Sequence, residues 1–583
     1  MRVPRRALGW VRTRPGTLAI VMLGIAWGTV MHQMGWAQLG HYAEVRALAD
    51  GRKNIDRWHW ETGDVAYIDG HYYSVKSPGV AALSAPIYLG AEALGGLDVA
   101  ADAAVNAGRA DQPRWVSDHR SPWAQYGYDA ARAQRVEERI EDATPVVWFL
   151  TLFAAVIPAV LLLFGVRRLA QRLEPGYGTA AAVTLGVGTT LMIFAAEFFS
   201  HAISAALGFA AFAVLIRERA GPQRPLLLAA AGLLAGLAVT FEVQVGLIGV
   251  VLFGLAIARS HPLRRAAAYG AGALAGAIPT LAFNWWMLGS PFRLAYGDAV
   301  AEIGRSGHAE IGLNDDGFFG ITLPRLDAAI DLLVGGRGVL VLTPVLAMAI
   351  VGVVLMHRRG HRAIAWTVAA VALAYFAYNA GYWQPFGGGT PGPRFLVPAL
   401  PFLALGLAFA YRRFPATTLA LAIPSALWML LASLTYPLIG EQGTGLWAEY
   451  LADGRLEHTL LSVLGVESNW VAVVPVLLAV IGVAWFAVRA TPAGSVAAGF
   501  DIRLALAALA GWIAISALGP TLAEEPVTPL DGSPEALLVV GVGALAALAA
   551  LIVLGYRGRA ARRSDRDARS ASTGELALGD LSS

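Results

Sequence analysis

The sequence predicts an all-α chain: a polytopic transmembrane helical bundle of about fourteen spans, with a large first extracytoplasmic loop bearing juxtamembrane helices. Three observations predict it. Of 583 residues, 56% are hydrophobic and only 15% charged, against roughly 25% charged in soluble domains; the mean hydropathy is +0.56. The apolar residues fall in runs of about 17–25, the length a helix needs to cross hydrocarbon, without the period-two alternation of barrel strands. Compact arginine clusters recur in alternate connections, as the positive-inside rule expects of a chain that crosses repeatedly.

Taken in order, residues 1–16 form a cytoplasmic N-terminus, with five arginines between Met1 and Arg14. Residues 17–36 are the first span, an uncleaved anchor because no small-x-small site follows it. Residues 37–142 are the extracytoplasmic loop. Within it, Pro78–Leu94, interrupted by Pro86, reads as a helix lying on the membrane surface, and 124–142 as a charged amphipathic helix. A transmembrane core covers 143–411, and further C-terminal helices cover 412–556. The Ser/Asp/Arg-rich residues 557–583 read as a disordered cytoplasmic tail. The clusters at Arg167-Arg168, Arg217 with Arg219, Arg264-Arg265, Arg358-Arg359, Arg412-Arg413 and Arg489 then share one side with both termini. One span more or less would put the later clusters on the wrong side.

Composition excludes several classes. The chain has no cysteine, so disulfides, thiol nucleophiles and Cys metal sites are absent. The net charge of +3 does not indicate nucleic acid, because the arginines sit in short turns where they orient spans. Only two of the 44 basic residues are lysines, Lys53 and Lys76, which singles both out.

Polar chemistry concentrates in the first loop and at the outer span ends. The loop carries Asp56, Glu61, Asp64 and Asp69, then Tyr72, Tyr73 and Lys76. A carboxylate there can serve as a general base if desolvation raises its pKa. Trp58, Trp60, Tyr67, Tyr72 and Tyr73 offer faces for sugar rings, or form an ordinary interfacial belt. Glu197 and His201 are spaced i,i+4, so they share a helix face if the turn there is helical. Glu242 lies in a short outer turn. Arg337 and Arg394 stand in glycine-rich turns, where a guanidinium can match phosphate or snorkel to headgroups. Carboxylates near the membrane are costly unless paired. No HExxH and no two-His-plus-carboxylate spacing occurs, which leaves a divalent cation possible but unassigned.

These residues resemble the GT-C superfamily of integral membrane glycosyltransferases, in particular bacterial enzymes like glycosyltransferase family 39. Asp69-Gly-His-Tyr-Tyr-Ser-Val-Lys76-Ser-Pro-Gly79 is similar to a "DG-x-YYS-x-K-x-PG" stretch of such proteins, and Gly388-Gly-Thr-Pro-Gly-Pro-Arg394-Phe-Leu-Val-Pro398 to their "GG-x2-GPR-x-L-x-P" stretch. With Arg337-Gly-Val-Leu and Thr343-Pro344, the likeness spans roughly residues 17–410. It implies inverting transfer of a hexosyl or pentosyl group from a polyprenyl-phosphate sugar donor to a glycan, lipid or protein acceptor at the outer face of the plasma membrane. A first-loop carboxylate, Asp56 or Asp64, would be the base. Lys76, Arg337 and Arg394, helped by His201, would stabilise the leaving phosphate, and Asp69, Tyr72, Tyr73 and Glu197 would contact substrate. One departure stands out: where the family has an acidic pair after the first span, this chain has Ala37-Gln38. Two other readings follow from the same residues. A transporter or flippase of lipid-linked sugars suits the span count, but the span middles are plain Ala/Leu/Val rather than polar or broken. A noncatalytic scaffold of envelope assembly suits the missing acids.

Overall fold

A computed structural model describes residues 14–32, 34–108, 130–300, 317, 320–438, 445–492, 499–522 and 537–553. The arginine-rich start, most of the 301–319 segment with Asp315-Asp316, and the tail lie outside the described residues, as does the start of the 124–142 segment.

The chain is an all-α helical bundle. Among the described residues eight helices are long and apolar enough to cross a membrane, or up to ten if each of two bent pairs is one span. The expected apolar runs all fall on helices. Five of these helices, Pro15–Thr29, Gly178–Val187, Pro225–Phe241, Val243–Ile257 and Leu537–Val553, are only 10–17 residues long. At 1.5 Å per residue that length alone falls short of a 30 Å hydrocarbon layer.

Burial sorts the helices. The apolar window of Arg394–Arg413 is 89% buried, which makes it the central helix; those of Pro262–Leu288, Asn469–Ala490 and Gly499–Leu518 are 22–28% buried, which leaves their outer faces for lipid. Small residues draw the backbones together. A Cβ on Gly232 or Gly236 would stand 2.0 or 2.1 Å from the carbonyl of Tyr269 or Ala273, and one on Gly272 or Gly276 2.0 or 2.3 Å from that of Ala229 or Leu233. Pro225–Phe241 and Pro262–Leu288 therefore pack through reciprocal Gly-x3-Gly faces, the close approach that lipid-embedded helices use in place of a hydrophobic driving force.

The C-terminal helices are built into this bundle. Pro15–Thr29 packs along Val474–Ala490, Val30–Met31 pairs antiparallel with His458–Thr459, and the Trp512 indole N–H donates to the Val341 carbonyl at 2.9 Å.

The two ends of the bundle differ. At one end Glu174 accepts from Arg359 and Arg412, Arg265 and Glu218 form a buried two-point pair at 2.6–2.7 Å, and Arg219 donates to the carbonyls of Leu255 and Ala258. The other ends of several of these helices meet a polar layer formed by Trp36–Ala49, a small sheet and the bent pair Gly79–Ala93 plus Gly96–Asn106, whose two halves meet at 89°. The expected surface helix thus begins and ends almost where proline and glycine put it, and Gly95, at φ 72°, allows the bend.

The sheet was not expected. Val65–Ile68 and His71–Ser74 form a hairpin, and Ala299–Val300 from the next polar loop pairs on the far side of Val65–Ile68. Asp69 and Gly70, at φ 51° and 89°, turn the hairpin as a two-residue loop with both centres left-handed, the conformation that favours Asp-Gly.

Candidate functional site

A cavity of about 270 Å³ opens between the polar layer and the bundle. Its walls come from distant parts of the chain: Ala37 and His41 on Trp36–Ala49, Val75–Pro78 after the hairpin, Phe199–His201, Phe241–Gln244, Tyr296, Tyr378, Tyr382 and Arg394. Helix ends and irregular turns supply most of the polar groups, and His41 projects from within Trp36–Ala49.

Four residues singled out in the sequence converge here: Lys76, His201, Glu242 and Arg394. Asp64 joins them through Lys76, whose Nζ lies 2.6 Å from its carboxylate. Burial alone would raise the Asp64 carboxyl, but the charge and hydrogen bond of Lys76, with Arg394 and His41, hold it below the usual range. Burial, aided by Arg394, lowers Lys76 against the pull of Asp64. The Arg394 guanidinium has no hydrogen-bonded or ion-paired side-chain partner among the described residues and packs over Phe395 and Phe199, 4.9 and 5.7 Å from the ring centroids. On this side of the cavity Asp64 pairs with Lys76 and leaves Arg394 without an acidic partner among the described residues, a guanidinium suited to an anion.

The opposite wall holds a second network. Glu242 stands where Pro225–Phe241 ends, in extended conformation. It accepts from His201 Nδ1 at 2.8 Å and the Ser204 hydroxyl at 2.6 Å, and also from the Gln244 amide. His201 is 3% exposed and Phe199 stacks on it. An aromatic flank completes the cavity: Tyr378 stacks on Tyr382, and the Tyr382 and Tyr296 hydroxyls lie 2.6 Å apart.

Other expected residues lie elsewhere. Asp56 accepts from the Tyr72 backbone N–H and meets His71 Nδ1, both at 2.7 Å; it ties the hairpin to the preceding loop and does not line the cavity. Asp69 occupies the exposed hairpin turn. Strand alternation sends Tyr72 and Tyr73 to opposite faces: Tyr72 stacks on His59, and Tyr73 packs with Met287 and Ala295. Glu61 is buried against Arg46. Arg337 donates to the carbonyls of Gly388 and Thr390 and lies over Phe386, so it holds the glycine-rich turn from which Arg394 projects.

Glu197 and His201 do not share a helix face. The chain bends through 196–200 and the helix begins only at His201, so Glu197 points the other way. It accepts from the Gln38 amide at 2.6 Å and lies 3.3 Å from His32 Nδ1, beside a space of about 10 Å³, room for one water. Gln38, at an expected acidic position, thus binds an acid in the bend before His201.

Three features escaped sequence reasoning. His41 lines the cavity, with Nδ1 lacking a hydrogen bond; burial first, then Lys76, lowers it to about 3. The Tyr378/Tyr382 pair shows in sequence only as an i,i+4 spacing at a span end. Glu44, one turn beyond His41, is 3% exposed, neither oxygen has a hydrogen-bond partner, and burial pushes its carboxyl to about 8. Among the described residues no group of three or more His, Asp and Glu side chains is arranged to hold a metal ion.

No family model matches this chain, and neither a curated protein nor a solved structure matches it.

Proposed function

We propose that this chain is a GT-C-like membrane glycosyltransferase of about fourteen spans, with the cavity on the outer face of the plasma membrane and both termini in the cytoplasm. It takes a hexosyl or pentosyl group from a polyprenyl-phosphate donor and passes it, with inversion, to a glycan, lipid or protein acceptor of the envelope. The observation that carries this reading is the convergence in one cavity of Lys76, paired with Asp64, and Arg394, which has no acidic partner among the described residues. Two cations lining one cavity can hold a sugar phosphate and stabilise the charge that develops as phosphate leaves. The Tyr378/Tyr382 flank suits the apolar face of a sugar ring. The arginine clusters at the opposite end of the bundle support the orientation.

The reaction needs little covalent work from the protein. An acceptor hydroxyl attacks the anomeric carbon from the side opposite the phosphate and gives up its proton to a basic group at the cavity, the C–O bond to phosphate breaks, and its electron pair leaves on the phosphate oxygen. Asp64 keeps Lys76 charged and placed despite its burial, and Arg394 supplies the second positive charge.

The test is transfer of label from a panel of polyprenyl-phosphate hexoses and pentoses by the purified protein in liposomes. Wild type and Asp56→Asn should transfer, whereas Asp64→Asn should lose most of the rate. Absence of transfer from every donor by correctly folded protein ends the enzyme reading. A transporter reading draws on the second bent pair, Leu326–Leu342 with Val345–Arg358 at 89°, since broken helices are a mark of that class. Movement of labelled donor between leaflets without transfer would favour it.

A further inference from the structure

We propose that His201, held by Glu242, is the group that takes the proton from the acceptor hydroxyl; this rests on the glycosyl-transfer reading above. Four side chains at the cavity could accept a proton, and one of them, Glu242, already accepts from His201, Ser204 and Gln244. Asp64 is engaged by Lys76 at 2.6 Å, and its carboxylate is spent on keeping that lysine in place. His41 is too weak a base, depressed to about 3 by burial and the nearby lysine. That leaves His201.

The geometry favours it. With Nδ1–H donating to Glu242 Oε1 at 2.8 Å, the lone pair of the imidazole sits on Nε2. That atom is buried and has no hydrogen-bond partner, on a ring that lines the cavity. A buried ring nitrogen without a partner costs free energy unless something else meets it, and a substrate hydroxyl would. Glu242 fixes the tautomer and carries the negative charge that stabilises the imidazolium once it forms, the same division of roles as in a carboxylate–histidine pair of a hydrolase. Ser204 and Gln244 hold the carboxylate in turn. The titratable and charged groups around His201 are Glu242, His41, Lys76 with Asp64, Arg394 and Tyr378. Lys76 and Arg394 take the phosphate side, so proton acceptance and leaving-group stabilisation fall to different groups. Phe199 and Phe395 pack against both His201 and Arg394, which places base and phosphate site against the same rings.

In the step, the acceptor O–H proton moves to Nε2 while its oxygen forms the new bond to the anomeric carbon. The bond to phosphate breaks, and its electron pair stays on phosphate. The proton then returns to solvent or to the departing phosphate, and the imidazole is neutral again.

The test uses the full chain in liposomes with labelled polyprenyl-phosphate sugars. His201→Ala and His201→Gln should lower kcat by about 10²–10⁴-fold with little change in donor KM, and added imidazole should restore part of the rate to His201→Ala. Glu242→Gln should lower kcat with KM kept, and Glu242→Asp should recover much of it; a purely structural role would not give that split. Wild type needs no substitution for one further measurement: inactivation by diethyl pyrocarbonate should track labelling of His201 by mass spectrometry and be blocked by bound polyprenyl phosphate. Transfer by wild type that both His201 variants retain overturns the assignment alone. Inactivation that tracks other histidines while His201 stays unlabelled does the same. Failure of wild type to transfer from any donor overturns the transferase reading, and the assignment with it.

Discussion

Glu44→Gln isolates one buried charge. The Glu44 carboxyl titrates at about 8 in the folded chain against an ordinary 4.5, because burial penalises its charged form and no hydrogen bond offsets the penalty. Between those two values the folded protein binds a proton that the unfolded chain has released. The stability linked to that proton is whole below pH 4.5 and is lost as pH rises through about 8. At 1.36 kcal/mol per unit, the full loss is about 5 kcal/mol, and between about pH 5.5 and 7.5 it is about 2.7 kcal/mol. Glutamine has nearly the same shape and no proton to lose. Equilibrium unfolding in mixed detergent–lipid micelles at several pH values should show the variant gaining on wild type by roughly 1.4 kcal/mol per pH unit across that interval. The comparison cancels every other titrating group and the cost of the unpaired polar atoms, which both side chains share. Parallel stability curves for the two proteins would refute the reasoning, since they would mean Glu44 is solvated or paired.

Three further outcomes follow from the packing and the site. Gly236→Ala puts a methyl 2.1 Å from the Ala273 carbonyl, so the two helices must separate at a cost of about 1–3 kcal/mol; Gly254→Ala, with open space around it, should leave the unfolding midpoint unchanged. Arg265→Ala strands the buried Glu218 carboxylate and should cost about 3–5 kcal/mol, while the double change Glu218→Gln with Arg265→Met should return much of it, as an unfolding titration would show. Arg394→Gln removes one charge-assisted contact, worth about 1.5–3 kcal/mol, so binding of polyprenyl phosphate read by tryptophan fluorescence should weaken roughly 10–150-fold; unchanged binding would remove Arg394 from the phosphate site.

Much of the site was visible as residue type and little of it as arrangement. Lys76 stood out because the chain has only two lysines, and Arg394 because glycines and prolines surround it. Both proved to face the cavity. Asp56 and Asp64 looked alike in sequence, yet a hairpin separates them: the first secures the turn, the second meets Lys76. The Asp69-Gly70 pair between alternating residues is a legible hairpin signal in a stretch that otherwise reads as a polar loop. Arg337 and Arg394 sit in similar glycine-rich turns, but one donates to the backbone of the other's turn. The i,i+4 rule failed for Glu197 and His201 because the helix had not yet begun.

By itself the sequence determined the membrane class, the helical content and the positions of the apolar runs. Those depend on local hydropathy and on the need of every buried backbone group for a partner within its own helix. Only the tertiary structure decided which polar residues meet. The cavity gathers side chains from near residues 41, 76, 201, 242, 296, 378 and 394, and contacts across such separations depend on how helices cross and where they stop. Reciprocal glycine faces and irregular turns set both, and neither leaves a periodic trace in the chain.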